Sequence, residues 1–281
     1  MKIFICTNQN QLIGAKVAKN SILRKSHFSD EDIEILHESN CDEIKEIYSG
    51  SYLREGREIN FDQHDMQSFT LMRFHIPEKM NFKGKALVID PDIFLVRPIL
   101  EDLDKIDLSN ISICCRKGLQ KNSWGSSVML LNCEKLRHWS LQNFISTLKA
   151  GECDYSDLIN LRLEEGNIME LDPKWNDFDN LNKNTVLLHL TEKLTQPWRA
   201  GIKLDSYIPP LFKFIPRAPL YKLFGRNLKL GVEHPDRQIT DFFFQELSIC
   251  LKEKIISYEE LNQGVKDNFI REDIFIKLEE Y

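Results

Sequence analysis

The chain has 281 residues, with 43 acidic against 37 basic side chains and a formal net charge of −6 at pH 7. That balance argues against a general nucleic-acid binder, whose surface would be basic. Hydrophobic residues at 42% and charged residues at 28% fit a globular chain long enough for one large α/β domain or two small ones.

In chain order, "KIFICT" reads as a first strand and "GAKVAKNSILRKS" as the helix after it. The early turn to polar residues makes the start a strand rather than a leader peptide or a spanning helix, and the expected location is cytoplasmic. "DIEILHE" alternates with period two and predicts a second strand, and "MQSFTLMRFHIPEKM" predicts a helix ending near Pro77. "KALVID", "ISICCR" and "SSVMLLN" are three further strands, followed by a helix through "CEKLRHWSLQNFISTLKAG". "YSDLINLRLEEG" predicts a short helix and "TVLLHL" a late buried strand. Strands alternating with helices define an α/β fold with a largely parallel sheet. The glycines are dispersed, which disfavours a glycine-rich dinucleotide or Walker loop.

Seven cysteines, at 6, 41, 114, 115, 133, 153 and 250, are odd in number and form no CxxC pair or Cys/His cluster. They read as reduced, small hydrophobes in a reducing compartment. Between 203 and 232 the composition changes: proline, aromatic and basic residues crowd together, with Asp205 the only acid. Basic residues with interleaved aromatics across 209–232 suit peripheral contact with an anionic membrane surface, or a segment packed on the domain with solvated charges. An amphipathic helix follows over about 236–254, and the expected division is 1–202 as the catalytic domain and 203–281 as an appendage.

The segment "KALVIDPDIFLV" delivers Asp90 and Asp92 to the carboxyl end of a buried strand, where open α/β sheets bind ligands. Alternation points both side chains the same way, with Pro91 stiffening the turn between them. Two neighbouring carboxylates repel unless a positive charge separates them. Three readings follow: a strand-end turn, a phosphatase nucleophile of the haloacid-dehalogenase type, and a carboxylate clamp for Mg²⁺ or Mn²⁺ on a diphosphate.

Taken together, these segments resemble glycosyltransferase family eight, the group of glycogenin and the lipopolysaccharide galactosyltransferases. The likeness runs over roughly residues 2 to 200 in the family's order. It includes "IFICTNQNQLIGAKVAKNSIL", the run from "SFTLMRF" to "IDPDIFLV", "SWGSSVMLLNCEKL", "YSDLINLRL", "LDPKWND" and "LLHLTEKLTQPW". The resemblance implies a GT-A, Rossmann-like fold and a metal-dependent retaining transfer of sugar from a nucleotide-sugar donor to a glycan or lipid-linked acceptor. It implies a UDP-sugar as donor.

The resemblance also implies roles. Asp90, Asp92 and His189 would hold Mn²⁺ or Mg²⁺, unless His189 simply ends its strand. Arg73 would contact the donor, or form a helix-surface salt bridge. Thr7, Asn8 and Gln11 fall in the nucleotide loop. Trp124, Ser126 and Ser127 would lie beside the donor sugar, Trp124 having core packing as its alternative. Gln196 and Trp198 belong to the closing "QPW". Asp154 or Asp157 would be the polar group nearest the reaction, with the acceptor hydroxyl attacking from the front face. The chain departs from the family at Gln11, where an aromatic often stacks on uracil, at Tyr155 and Ser156, which replace an Asp-Gln pair, and at Gln196, which replaces a lysine. Lys193 or Arg199 would supply that missing charge. The same departures leave open a non-catalytic sugar-nucleotide-binding relative.

Overall fold

The computed structural model describes residues 1–47, 50–62, 65–118, 121–164, 167–203 and 230–281. By internal contacts the chain divides into Met1–His189 and Leu190–Tyr281. The first unit carries β1 (Lys2–Thr7), α1 (Leu12–Lys25), β2 (Ile33–His37), α2 (Asp42–Ile47), β3 (Ser51–Arg54) and β4 (Arg57–Asn60). After these come α3 (Ile76–Lys79), β5 (Lys85–Ile89), β6 (Ile93–Leu95), β7 (Ile113–Lys117) and β8 (Trp124–Asn132). It ends with α4 (Leu141–Ala150), α5 (Tyr155–Ile159), β9 (Ile168–Glu170), β10 (Asp177–Phe178) and β11 (Leu187–His189).

The main sheet has the order β2-β1-β5-β8-β7-β9. β1 pairs in parallel with β2 and β5, and β7 with β9. β8 runs antiparallel to both its neighbours. The reason lies in the connection: Lys117 and Trp124 are opposite one another across the β7–β8 hairpin, and so short a link cannot make a parallel crossover. Ile3, Ile5, Leu87, Val88, Ile89, Met129, Leu130 and Leu131 are fully buried, which is why these strands read as unbroken apolar runs.

β5 stops at Ile89 and β6 starts at Ile93, but β6 leaves the main sheet. It joins a small sheet of order β10-β11-β6, antiparallel to β11. The Asp90-Pro91-Asp92 tripeptide is therefore the point where the chain passes from one sheet to the other. Pro91 fits there because its missing N–H interrupts no ladder.

Two helices differ from expectation. Residues Ser68–His75 wind as a 3₁₀ helix, and α3 begins at Ile76 with Pro77 in its first turn. Proline lacks only an N–H that a first turn leaves unbonded, so Pro77 opens the helix instead of closing it. The helix expected from Cys133 reduces to a 3₁₀ turn, Cys133–Lys135, and α4 starts after Ser140, whose hydroxyl accepts from Asn143 N. α4 ends on Gly151 in the left-handed region, at φ 70°.

All seven cysteines are free thiols, and six are buried. Burial pushes the thiols of Cys41 and Cys114 up to about 11 and that of Cys133 up to about 12, which suits inert core residues.

The second unit contains α6 (Arg237–Lys252), capped by Asp236, α7 (Tyr258–Lys266) and α8 (Ile274–Leu278). Its core includes Trp198 stacked on Phe243, with ring centroids 4.7 Å apart. Arg271 binds both Glu233 and Asp273. Residues 204–229, which hold most of the basic-aromatic stretch 209–232, lie outside the described residues. Among the described residues, no helix is long and apolar enough to cross a membrane.

Candidate functional site

The turn from β5 to β6 and the end of β11 bring together Asp90, Asp92 and His189, whose ligand atoms all lie within 4.8 Å of one another. His189 Nε2 sits 3.4 Å from Asp92 Oδ1. The pairing of β11 with β6 sets His189 opposite Ile93, one residue past Asp92, and so carries the histidine to the aspartates.

Asp90 is 8% exposed. Burial pushes its carboxyl up from the ordinary range, and the Arg73 guanidinium pulls it back. Arg73 grips it from two nitrogens: Nε donates to Oδ1 at 3.0 Å, and a terminal nitrogen lies 2.5 Å from Oδ2. The other terminal nitrogen donates to Ser126 Oγ at 2.6 Å, and that hydroxyl donates in turn to Ile159 O. Arg73 is itself 5% exposed, so its contacts are with the first aspartate and β8. A carboxylate offers about four lone-pair sites, so Asp90 keeps capacity for a cation beside its arginine.

His189 Nδ1 lies 2.8 Å from Asn176 Oδ1, while Asn176 Nδ2 donates to Ser127 Oγ at 3.0 Å. The amide orientation that satisfies Ser127 presents its carbonyl oxygen to the ring. With the amide so oriented, the imidazole proton sits on Nδ1 and the Nε2 lone pair faces Asp92. Two carboxylates and one such imidazole are a fitting donor set for a divalent cation. Ser127 also accepts, through its backbone oxygen, from Asp90 N at 3.1 Å. Ser126 and Ser127 thus touch the site through Arg73, Asp90 and Asn176.

Thr7, Asn8 and Gln11 are buried at the end of β1. Thr7 Oγ1 donates to Asn8 O, and Asn8 caps the turn Gln9–Gln11 by accepting from Gln11 N. Asn8 Nδ2 donates to Asp65 O at 3.0 Å and to Ser68 Oγ at 2.9 Å. Ser68 also hydrogen-bonds the Glu38 carboxylate. Burial pushes the Glu38 carboxyl up to about 7; the Ser68 hydroxyl opposes the rise and Asp65 adds to it.

The remaining candidates are held in other ways. Trp124, half-buried, opens β8 with Lys117 Nζ 5.1 Å from its ring. Asp154 caps α5 and accepts from the backbone N–H groups of Ser156, Glu55 and Gly56, fastening the β3–β4 turn to the helix. Asp157 pairs with Arg162 at 2.8 Å. Gln196 and Trp198 belong to the second unit, where Gln196 Nε2 donates to Leu190 O and Trp198 is core. Lys193 is half-buried and Arg199 buried, both in the second unit. Tyr155 is buried, with its hydroxyl against Thr70 and Arg54 4.9 Å over its ring.

Among solved structures, an active-site mutant of LgtC matches with a TM-score of 0.50 at 15% identity, covering 70% of this chain and 89% of LgtC. GlyE from Streptococcus pneumoniae TIGR4, a glycosyltransferase, matches at 0.52 and 14% identity over 90% of this chain, which spans 64% of GlyE. A second LgtC structure, described as a galactosyltransferase with donor and acceptor sugar analogues, matches at 0.46 and 16% identity, covering 70% of this chain and 89% of LgtC. No family model matches the chain, and no curated protein matches it by sequence. The fold is α/β of the GT-A type, with a mostly parallel central sheet flanked by helices, as in these glycosyltransferase structures.

Two outcomes follow from this geometry. Asn176→Ala frees the His189 ring, and Mn²⁺ affinity measured by calorimetry falls about 10- to 100-fold, with the thermal midpoint little changed. The Glu38 contribution to stability is full below the ordinary carboxylate value and is lost as pH rises through about 7. Between pH 5 and pH 8 the unfolding free energy of the wild type therefore falls by about 2 kcal/mol more than that of Glu38→Gln. Parallel pH profiles in urea denaturation would contradict it.

Proposed function

We propose that the chain is a metal-dependent, retaining glycosyltransferase that moves a sugar from a UDP-sugar to a glycan or lipid-linked acceptor. The observation that carries the reading is the Asp90–Asp92–His189 cluster at the carboxyl end of β5, with the His189 ring held by Asn176, on a GT-A-type fold. Mn²⁺ or Mg²⁺, when bound there with the diphosphate, supplies positive charge against the negative charge that builds on the leaving group.

Asp90, Asp92 and His189 hold the cation, and Arg73 opposes the effect of burial on the Asp90 carboxyl and aims it. Ser126 and Ser127 leave room beside β8 for the donor sugar, with Trp124 at the strand's start. Thr7, Asn8 and Gln11 form the nucleoside end of the site. The acceptor hydroxyl attacks from the face the diphosphate leaves, which preserves the anomeric configuration. Of the two acids weighed for this step, Asp154 is committed to three backbone N–H groups. Asp157 has a single arginine partner and half-buried surroundings, and is the better placed to orient the acceptor.

The catalytic domain spans 1–202 and the appendage 203–281. In this reading the protein is cytoplasmic, and 209–232 gives it peripheral membrane contact. A second reading, a non-catalytic sugar-nucleotide binder, draws on Tyr155, a buried phenol in the position of a family acid.

Hydrolysis of a UDP-sugar without acceptor separates the two. Wild-type protein releases UDP slowly with Mn²⁺, EDTA stops the release, and Asp92→Asn lowers it on the order of 10²-fold. Metal-dependent binding of the donor without any release would favour the binder. Release that ignores both EDTA and Asp92→Asn would overturn the metal-dependent transferase.

A further inference from the structure

β2, β1 and β5 are three neighbouring parallel strands. Their carboxyl ends deliver, side by side, Glu38, Asn8 and Asp90. Thr7 and His37 are opposite one another across β1 and β2, so Asn8 and Glu38 leave the sheet together. Ser68 joins them, accepting from Asn8 Nδ2 and hydrogen-bonded to Glu38. Asn8 Oδ1 in turn holds the backbone of Gln11.

Among the described residues, two acceptor atoms in this cluster have no hydrogen-bond partner: Glu38 Oε2 and Gln11 Oε1. Glu38 is 6% exposed and Gln11 3% exposed. Buried acceptors are almost always satisfied, because leaving one unmade forfeits its hydration. Two such atoms in one cluster, at the sheet edge where α/β folds bind ligands, call for donors that the described residues do not provide. The separation suits a nucleotide. From β5 to β2 is two strand spacings, about 10 Å, a span comparable to that from a diphosphate at Asp90 and Asp92 to the nucleoside it carries.

We propose that Glu38 and Gln11 read the nucleoside half of the donor by accepting hydrogen bonds from its ribose hydroxyls or its base N–H. The inference rests on the nucleotide-sugar reading above and adds a specificity residue, Glu38, from outside the nucleotide loop. Both sources of the hydrogen bond share one chemistry, a donor group offered to a buried oxygen, and they differ in which analogue is rejected.

The test is calorimetric binding to the full chain with Mn²⁺. The tightest binder among UDP, GDP, CDP and ADP is compared with its 2′-deoxy form and with its base N-methylated form. Measured at pH 8, where Glu38 is ionised, wild type rejects one analogue by about tenfold, the worth of one hydrogen bond to a charged group. Rejection of the 2′-deoxy form points to ribose, and of the N-methyl form to the base. Glu38→Met, which removes the acceptor at similar volume, closes that gap; Gln11→Met is the second variant should the first fail to fold. Variants that bind the nucleotide and both analogues as wild type does, or a wild type that rejects neither analogue, overturn the inference and leave the transferase reading standing. If none of the four nucleotides binds, both fall.

Discussion

Burial at the end of a strand disfavours a charged carboxylate, and at Asp90 the Arg73 guanidinium opposes that penalty. Their two-nitrogen contact is the constraint around which the rest of the site is arranged. A buried ion pair is weak evidence of stability, because desolvation offsets much of the attraction, but removing one partner strands a charge at a cost of about 3–5 kcal/mol. The pair therefore fixes position more than it strengthens the fold. It ties the 3₁₀ segment Ser68–His75 to β5 and, through Ser126, to the end of α5. Three segments distant in sequence meet on one guanidinium.

The second constraint is the change of sheet at Pro91. If β5 ran on, Asp92 would lie in the main sheet, away from β11. Because β6 pairs antiparallel with β11 instead, His189 is drawn alongside Asp92. Asn176 then orients the ring, and Ser127 orients Asn176. The chain of contacts runs from β8 through an amide to an imidazole, and each link is buried or half-buried. A site assembled in this way is organised before any ligand arrives.

Much of this could be read from the residues. The apolar runs of β1, β5 and β8 marked buried strands, and "VIDPD" marked a strand ending in carboxylates. The antiparallel run of β8 was not part of that reading, which expected a largely parallel sheet; the few residues between Lys117 and Trp124 are what impose it. Pro77 read as a helix end, whereas the fold uses it in a first turn, because a proline suits either place and the local pattern does not separate them. The part of His189 in the cluster came from resemblance, because its neighbour Asp92 is set by sheet pairing across nearly a hundred residues. Asn176 lies in "LDPKWND", quoted for the resemblance but given no role there, and Glu38 carried no local signal. Their positions depend on Ser127 and Ser68, which only the tertiary fold brings within hydrogen-bonding distance.

The central claim is that Asp90, Asp92 and His189 hold a divalent cation together with a nucleoside diphosphate. Electron paramagnetic resonance of Mn²⁺ tests it most directly, since the free ion gives a sharp signal that broadens when bound. Added to wild-type protein with UDP, the free signal should fall in proportion to one site, and His189→Ala should restore most of it. A free-ion signal unchanged by the wild-type protein, or equally reduced by His189→Ala, would contradict the account.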